Sequence, residues 1–537
     1  MQKVPNKADK VLNYHKLTKH HPERYARSLG YMDWENQPNP FRFFAGDERL
    51  KLPLIKDING SPYSILFESP RIAPLPIELE SVAAVLELAL GLSAWKQYGA
   101  SEWSLRINPS SGNLHPTECY LILPERKGLP ASIAHYNPFL HSLEIRARLD
   151  DDCAQSLNGL NGFGLILSSI YWRESWKYGE RAFRYTQHDI GHALGALRFS
   201  TALSGWRVSV QPEVSNEMLN RLLGFEPERQ IKGEPERADC FCWASGTDPD
   251  QTKIMDWLSA LPTPDYKDTP NQLSSSHANW PVIDEVAMLT ESPGYAAHRP
   301  VTTRPQTHMT SDNLAESIIR QRRSAQSFDP DSSHMKYESF IRILSATLPN
   351  GGPPFDALPV PSHLSLILFV HRVDELTPGL YCLVRNTSDL SELRDSFDET
   401  FSWKQVDPEL PLYLLRQADL SGTAKTISCH QDIAGDGAFS LGMLGRFERL
   451  LSDSPWLYPC LFWEAGLIGQ TLYLEAEDKG YRGTGIGCYF DDLMHELLGL
   501  EGCQWQDLYH FTIGLPLEDG RLQTKPAYHH LAGLRES

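Results

Sequence analysis

DIGHALGALRFSTALSGWRVSVQPEVSNEMLNRLLGF, from Asp189 to Phe225, can be laid without a gap over EAGLIGQTLYLEAEDKGYRGTGIGCYFDDLMHELLGL, from Glu464 to Leu500. At a constant offset of 275, Gly191 falls on Gly466, Gly205 on Gly480, Trp206 on Tyr481, Arg207 on Arg482, and Leu222-Leu223-Gly224 on Leu497-Leu498-Gly499. Within the first copy, Ala193, Leu194, Leu197 and Ala202 recur at helical spacing. Gly205 then stands where a helix end favours a positive φ. Ser215 is a candidate N-cap for a second helix that closes at Gly224. A helix, a glycine, a loop, a second helix and a second glycine thus occur twice, and the reading they support is duplication of a whole α+β domain.

A boundary follows. Residues 246–310 are rich in Pro, Ser, Thr and Asp and read as a linker with one short helix over Ile254 to Leu261. The first domain is expected over 1–245, with an N-terminal extension, and the second over 311–537. In the first, helix is expected at 80–97 and strand at 118–123 and 162–168. In the second, helix is expected at 312–323, 335–347 and 437–450, and strand at 363–371 and 379–384.

Composition narrows the function. The 537 residues are 41% hydrophobic and 22% charged, an ordinary globular balance. Fifty Lys and Arg stand against 68 Asp and Glu, a formal net charge of -18, which argues against a nucleic-acid partner while leaving room for a local basic pocket. No stretch approaches the 18 or so apolar residues of a membrane span, and the first twenty residues lack the apolar core of a signal peptide. Nine scattered cysteines point to a reducing cytoplasm rather than a disulfide framework. His188 and His192, one helical turn apart, have no third ligand in view, and Cys429-His430 has no recognisable partner, so no metal is expected.

Four segments can carry chemistry. Pro109-Ser110-Ser111-Gly112-Asn113-Leu114-His115-Pro116 packs small hydroxyls, Gly and Asn between prolines. Such a loop exposes amides that hold an anion or a flat polar ring, and the same composition suits an ordinary surface turn. Tyr171 to Tyr185 (YWRESWKYGERAFRY) alternates aromatic and basic residues. Lys177 and Tyr178 are proton-transfer candidates whose pKa of about 10 must fall for either to act as a base; a half-buried helix with snorkelling stems reads equally well. Arg322-Arg323-Ser324 can clamp a phosphate, or can be a solvated pair at a helix C-terminus. Tyr481-Arg482-Gly483-Thr484-Gly485-Ile486-Gly487 lets backbone approach a ligand closely, yet lacks the order of a dinucleotide fingerprint. At the offset of 275, Lys177 and Tyr178 fall on Ser452 and Asp453, so the aromatic–basic segment exists once only.

Taken together these segments resemble the flavin-dependent nitroreductase superfamily, and within it the SagB/ThcOx-type dehydrogenases. PSSGNLHPTECYLIL resembles the family's loop-to-strand segment, RRSAQSFDP its phosphate motif, HYNPFLHSLE (His135 to Glu144) its tyrosine-containing strand and turn, and WKYGERAFRY the Lys-Tyr segment of its azoline-oxidising members. The family consists of FMN-binding α+β homodimers with the flavin between subunits. The resemblance therefore implies a nitroreductase-like fold repeated in tandem as an intramolecular pseudo-dimer, monomeric or dimerising further. One FMN per chain would lie between Pro109, Ser110, Ser111, Gly112 and Asn113 on one side and Arg322, Arg323, Ser324, Gln326, Arg482, Gly483, Thr484 and Gly485 on the other. Gln326 stands where the motif has a third basic residue, and Lys525 is expected to restore that charge. In place of a second Pro-Ser-Ser loop the chain has Leu348-Pro349-Asn350-Gly351-Gly352-Pro353.

The implied activity is hydride transfer between flavin N5 and an organic substrate, with Lys177 or Tyr178 moving the proton and a thiazoline or oxazoline in a peptide as the substrate class. The alternatives are an NAD(P)H-dependent nitro or quinone reductase, a flavin-binding protein without turnover, and a cofactor-free scaffold.

Overall fold

The computed structural model describes residues 6–45, 48–55, 60–67, 72–297, 311–358 and 360–532. Two seven-stranded antiparallel sheets dominate it. The first runs Glu48–Lys51, Ser142–Arg148, Ser132–Asn137, Thr117–Leu123, Gly162–Ile170, Glu236–Ser245, Arg207–Val210; the second runs Lys404–Gln405, Leu412–Gln417, Gly379–Leu383, Leu364–Val370, Phe439–Arg446, Trp505–Gly514, Arg482–Ile486. Leaving aside the outermost strand at one edge, the two orders are identical in connectivity. The α+β architecture is duplicated.

The two long helices, Ala182–Leu203 and Tyr458–Asp478, are buried on all faces along nearly their whole length. Such helices belong between layers rather than on a surface. They pack on each other where the repeat places equivalent residues in contact. A Cβ on Gly191 would lie 2.8 Å from the Cα of Gly466 and against the carbonyl oxygen of Trp463; one on Gly466 would lie 2.7 Å from the Cα of Gly191 and against the carbonyl of His188. A residue touching its own repeat equivalent lies on the local two-fold of an isologous contact. Four positions along, Gly195 meets the side chain of Gln470, again its counterpart.

The repeat's helix ends follow its glycines. Gly205, Gly224, Gly480 and Gly499 have φ of 68°, 70°, 78° and 72°, the left-handed conformation glycine adopts without strain. The Ser215 hydroxyl accepts from the amide of Met218, capping the helix Asn216–Leu223. The segment between the two helices of each copy is an edge strand, Arg207–Val210 or Arg482–Ile486, rather than a loop.

Two expectations are corrected. Helix over 80–97 stops at Ala89, and Leu92–Tyr98 is a strand paired with Ser101–Arg106 and Gln523–Lys525. Its partner of more than 400 residues later lies outside any local window. The expected helix at 437–450 is the strand Phe439–Arg446, flanked on both sides in the second sheet, followed by the short helix Glu448–Asp453. A strand covered on both faces is apolar throughout and loses its alternation, so it imitates a buried helix.

The ends of the chain cross between the halves. The helix Lys7–Leu17, capped by reciprocal bonds between Asn6 and Asp9, joins the core of the second sheet, with Tyr14 edge-on to Tyr458 at 6.3 Å. The C-terminal Tyr528 and Leu531 pack with Phe41 and Leu92 of the N-terminal half. Within 246–297, the helix Gln251–Ala260 covers Phe241 and Trp243, and Pro281–Leu289 packs beside the first helix.

The glycine contact makes a direct test. Gly466→Val forces a branched side chain into backbone and is expected to cost about 3 kcal/mol or more in urea unfolding. Gly422→Ala, in an exposed helical position with nothing within 4 Å of the added methyl, is expected to change stability by less than about 1 kcal/mol.

Candidate functional site

A cavity of about 650 Å³ opens between the halves, a volume in the usual range for organic ligands. One wall is the loop Pro109–Asn113 with Tyr178 and Tyr185. The other is Arg322–Gln326 with Arg482, Thr484 and Gly485 of the edge strand, and residues 517–524 close one end.

The loop is a short turn whose Gly112 and Asn113 both have φ of 60° and whose His115 has φ of 53°. Side chains hold these left-handed residues in place. Ser110 Oγ accepts from the amide of His115 at 2.8 Å, Asn113 Nδ2 donates to the carbonyl of Ser104 at 2.9 Å, and Arg173 Nη1 donates to the carbonyl of His115 at 2.7 Å. A Cβ on Gly112 would lie 2.7 Å from Tyr178 Oη and 3.2 Å from Lys177 Nζ, so both proton-transfer candidates sit against this loop. Tyr178 lines the cavity; Lys177 does not, and its exposed stem brings Nζ in from the side. Burial, then Glu174 and Tyr185, push the Tyr178 phenol well above its ordinary value, so it is a proton donor at neutral pH.

Beneath the loop lies a carboxyl pair that no sequence pattern singles out. Asp189 Oδ1 accepts from the amide and the hydroxyl of Ser111 at 3.1 and 3.3 Å. Burial raises its pKa to about 7 against the pull of those bonds. Burial and the neighbouring Asp189 push Glu174 well above the carboxylate range, with Lys177 and Ser110 opposing. The pair therefore retains protons close to neutrality, directly under the Ser110–Ser111 segment of the loop.

The opposite wall is cationic. Arg322 is buried, its Nη2 donates to the carbonyl of Arg106 at 3.1 Å, and its guanidinium lies over the Tyr473 ring at 5.0 Å; its buried Nε has no hydrogen-bond partner. Arg323 folds back onto the carbonyls of Arg320, Arg322 and Ser93. Burial first, then Arg322, lowers Arg323 to about 10, and burial lowers Arg322 as well. Ser324 Oγ shares a 2.8 Å bond with Tyr473 Oη, which also accepts from the amide of Gly485 at 3.0 Å. Arg482 is held by Glu477 and Glu518.

Not every expected residue reaches the cavity. Lys525 does not line it, because its Nζ binds Glu102 at 3.2 Å. Lys96, on the adjoining strand, lines the wall instead and donates to Thr524. Its ammonium is lowered by burial and by Arg323. Gly483 is turned into the sheet against Phe511, while Gln326 does line the cavity. Arg181 and Arg184 of the aromatic–basic segment turn away from it, gripping Asp491 at 2.8 Å each and so tying the halves together. His188 is buried between the halves, stacked on Tyr509, whereas His192, bonded to Tyr509 Oη at 3.1 Å, lines the cavity.

The position related by the repeat is different. It holds a cavity of about 210 Å³ lined by Arg207, Ser209, Pro349 and Gly351. Here Glu464, the counterpart of Asp189, is paired with Arg385 and accepts from Ser362. Arg198, the counterpart of Tyr473, is clamped by Asp356 through two bonds of 2.8 Å. Ion pairs occupy the ground that the larger cavity leaves open.

No family model matches the chain. A protein of Methanocaldococcus jannaschii named as a candidate nitroreductase is 27% identical over 180 residues, covering 32% of this chain and 86% of that protein. A crystal structure of a candidate nitroreductase from Anabaena variabilis superposes with a TM-score of 0.68 at 19% identity, across 95% of this chain and 99% of that one. The fold is thus nitroreductase-like, and the superposition runs through both halves of the duplicated architecture. Among the described residues no helix is long and apolar enough to cross a membrane, and no group of three or more His, Cys, Asp or Glu side chains is arranged to hold a metal ion.

The raised Asp189 gives a signed prediction. Between pH 4 and pH 7 the unfolded state loses a proton that the folded state keeps, so this group's contribution to stability falls as pH rises through that window. Asp189→Asn keeps an acceptor for Ser111 and removes the linkage. The slope of unfolding free energy against pH should become more positive by up to about 1.4 kcal/mol per unit, measured by urea titrations from pH 4 to 8.

Proposed function

We propose that the chain is an FMN-dependent oxidoreductase that binds one FMN in the larger cavity. The observation that carries this reading is a charge-crowded arginine pair, Arg322 buried with an unpartnered Nε and Arg323 half-buried, facing the Pro109–Asn113 loop across a cavity of ligand size. Arg322, Arg323, Ser324 and Lys96 would hold the phosphate. Pro109–Asn113 and Gly485 would border the ring system. When bound, the flavin supplies two-electron hydride chemistry.

The chain's own residues do the rest. Gly112 leaves room for Tyr178 Oη and Lys177 Nζ beside the loop. Tyr178 donates a hydrogen bond into the cavity, and Lys177 Nζ, in its neutral amine form, takes up the proton that a C–H substrate releases. Asp189 positions the Ser111 amide from below, with Glu174 beside it. The resemblance of the Lys-Tyr segment favours a dehydrogenase acting on an azoline in a peptide. The high pKa of Tyr178 supports a second reading, because a protonated phenol suits donation to a nitro compound or quinone during NAD(P)H-driven reduction.

Two substitutions separate binding from chemistry. Arg323→Gln should weaken FMN about 100-fold by fluorescence titration and leave riboflavin, which lacks the phosphate, unaffected. Equal effects on both would contradict a phosphate role. Lys177→Met should retain FMN and lower turnover of a thiazoline peptide by about 100-fold or more. Unchanged thiazoline turnover, with loss of nitro or quinone reduction in Tyr178→Phe, would select the reductase.

A further inference from the structure

Cys429 and Cys488 are 59 residues apart in sequence, and their sulfurs meet at 2.9 Å. The contact is built rather than incidental. After the helix Ser421–Ile427 the chain turns through two successive non-glycine residues in the left-handed region, Cys429 at φ 54° and His430 at φ 59°. Single residues of this kind are uncommon, and two in a row persist only where the surroundings hold them. Here the amide of Phe490 donates to the carbonyl of Ile427 at 2.7 Å, and Gln431 Nε2 donates to the carbonyls of Ser428 and Cys488 at 2.8 and 3.0 Å. These bonds bracket the two thiols and fix them face to face.

The two sulfurs differ in access and acidity. Both are half-buried, but Cys488 lies two residues past the edge strand and lines the large cavity. The contact with Cys429, with help from Arg181, pulls the Cys488 thiol below its ordinary value against its own burial, while the contact with Cys488 and burial push Cys429 far above. A reachable, acidified thiol backed by a proton-holding partner is the arrangement of an attacking and a resolving cysteine. The neighbouring pair Cys240 and Cys242 offers the contrast, since both are sealed in the first sheet.

We propose that Cys429 and Cys488 form a thiol–disulfide exchange site that takes a small organic disulfide as its electron acceptor through the large cavity. Cys488 thiolate attacks one sulfur of the disulfide, forming a mixed disulfide and expelling one thiolate. Cys429, giving up its proton, then attacks the Cys488 sulfur, forming the internal disulfide and expelling the second. Two protein thiols are oxidised and one disulfide is reduced to two thiols; a dithiol reverses the sequence. The site stands on the chain's own sulfurs, whatever the cavity holds.

The test equilibrates the full chain anaerobically with glutathione and glutathione disulfide at graded ratios, with and without FMN. Acid quenching, alkylation and peptide mass spectrometry follow. The expected result is a Cys429–Cys488 link that rises with the oxidised fraction and is erased by dithiothreitol, with or without FMN. Cys429→Ser should accumulate glutathione on Cys488, and Cys488→Ser should leave Cys429 free, both variants keeping the near-ultraviolet circular dichroism of the parent. Alkylation of both thiols at every ratio while exposed Cys503 acquires glutathione would overturn the proposal. So would glutathione that stays on Cys488 in the unsubstituted chain. A protein that forms the link yet binds no FMN would sink the flavin reading alone.

Discussion

The two halves meet at a contact between two glycines. Gly191 and Gly466 have no side chains, so the long central helices come together backbone against backbone at the point where the repeat's own symmetry places them. The walls of the candidate site are arranged around that crossing. Asp189 lies two residues before it on one helix, and Glu464 two residues before it on the other. Tyr473 rises from the second helix to meet Ser324 and Gly485, and Tyr185 from the first to reach the carbonyl of Gly487. A wider crossing would pull the amide loop of one half away from the arginines of the other.

The crossing generates two related clefts, and the chain has used them differently. In one, the helix carries Asp189 under the Pro109–Asn113 loop, and the facing wall is arginine-rich. In the other, the equivalent acid is spent on Arg385, and Arg198 stands locked to Asp356 where a tyrosine lines its counterpart. A buried ion pair contributes little net stability, but it fills space and neutralises the charge that would attract an anion. Ion pairs have narrowed this second cleft to a cavity of about 210 Å³. The exchange of chain ends, N-terminal helix onto the second half and C-terminal strand onto the first, then fixes the halves beyond what the helix pair supplies.

Much of this was legible in the sequence because glycine and arginine mark positions that geometry makes unforgiving. The offset of 275 was readable from helix-ending glycines, and the four segments that meet in the cavity were readable from their small, charged or aromatic residues. What was not legible depends on distant partners. Leu92–Tyr98 becomes a strand through a segment near the C-terminus, and Phe439–Arg446 hides its pattern by being buried on both faces. The repeat itself held the remedy for the latter, since Gly162–Ile170 carried forward by 275 covers the same strand. Lys525 and Lys96 are neighbours across a strand pair, and only the register decides which one faces the cavity. The Glu174 and Asp189 pair was invisible for another reason, because an acid's protonation follows from burial and not from its neighbours in the chain.

The central claim is that one chain builds a single anion-holding flavin site from both of its halves. Isothermal titration of the flavin-free protein with FMN tests it most directly. The account predicts saturation at one FMN per chain, with riboflavin bound far more weakly. Two equivalents would mean that the ion-paired cleft is also a site, and no binding at all would leave the arginine wall without its proposed ligand and contradict the account.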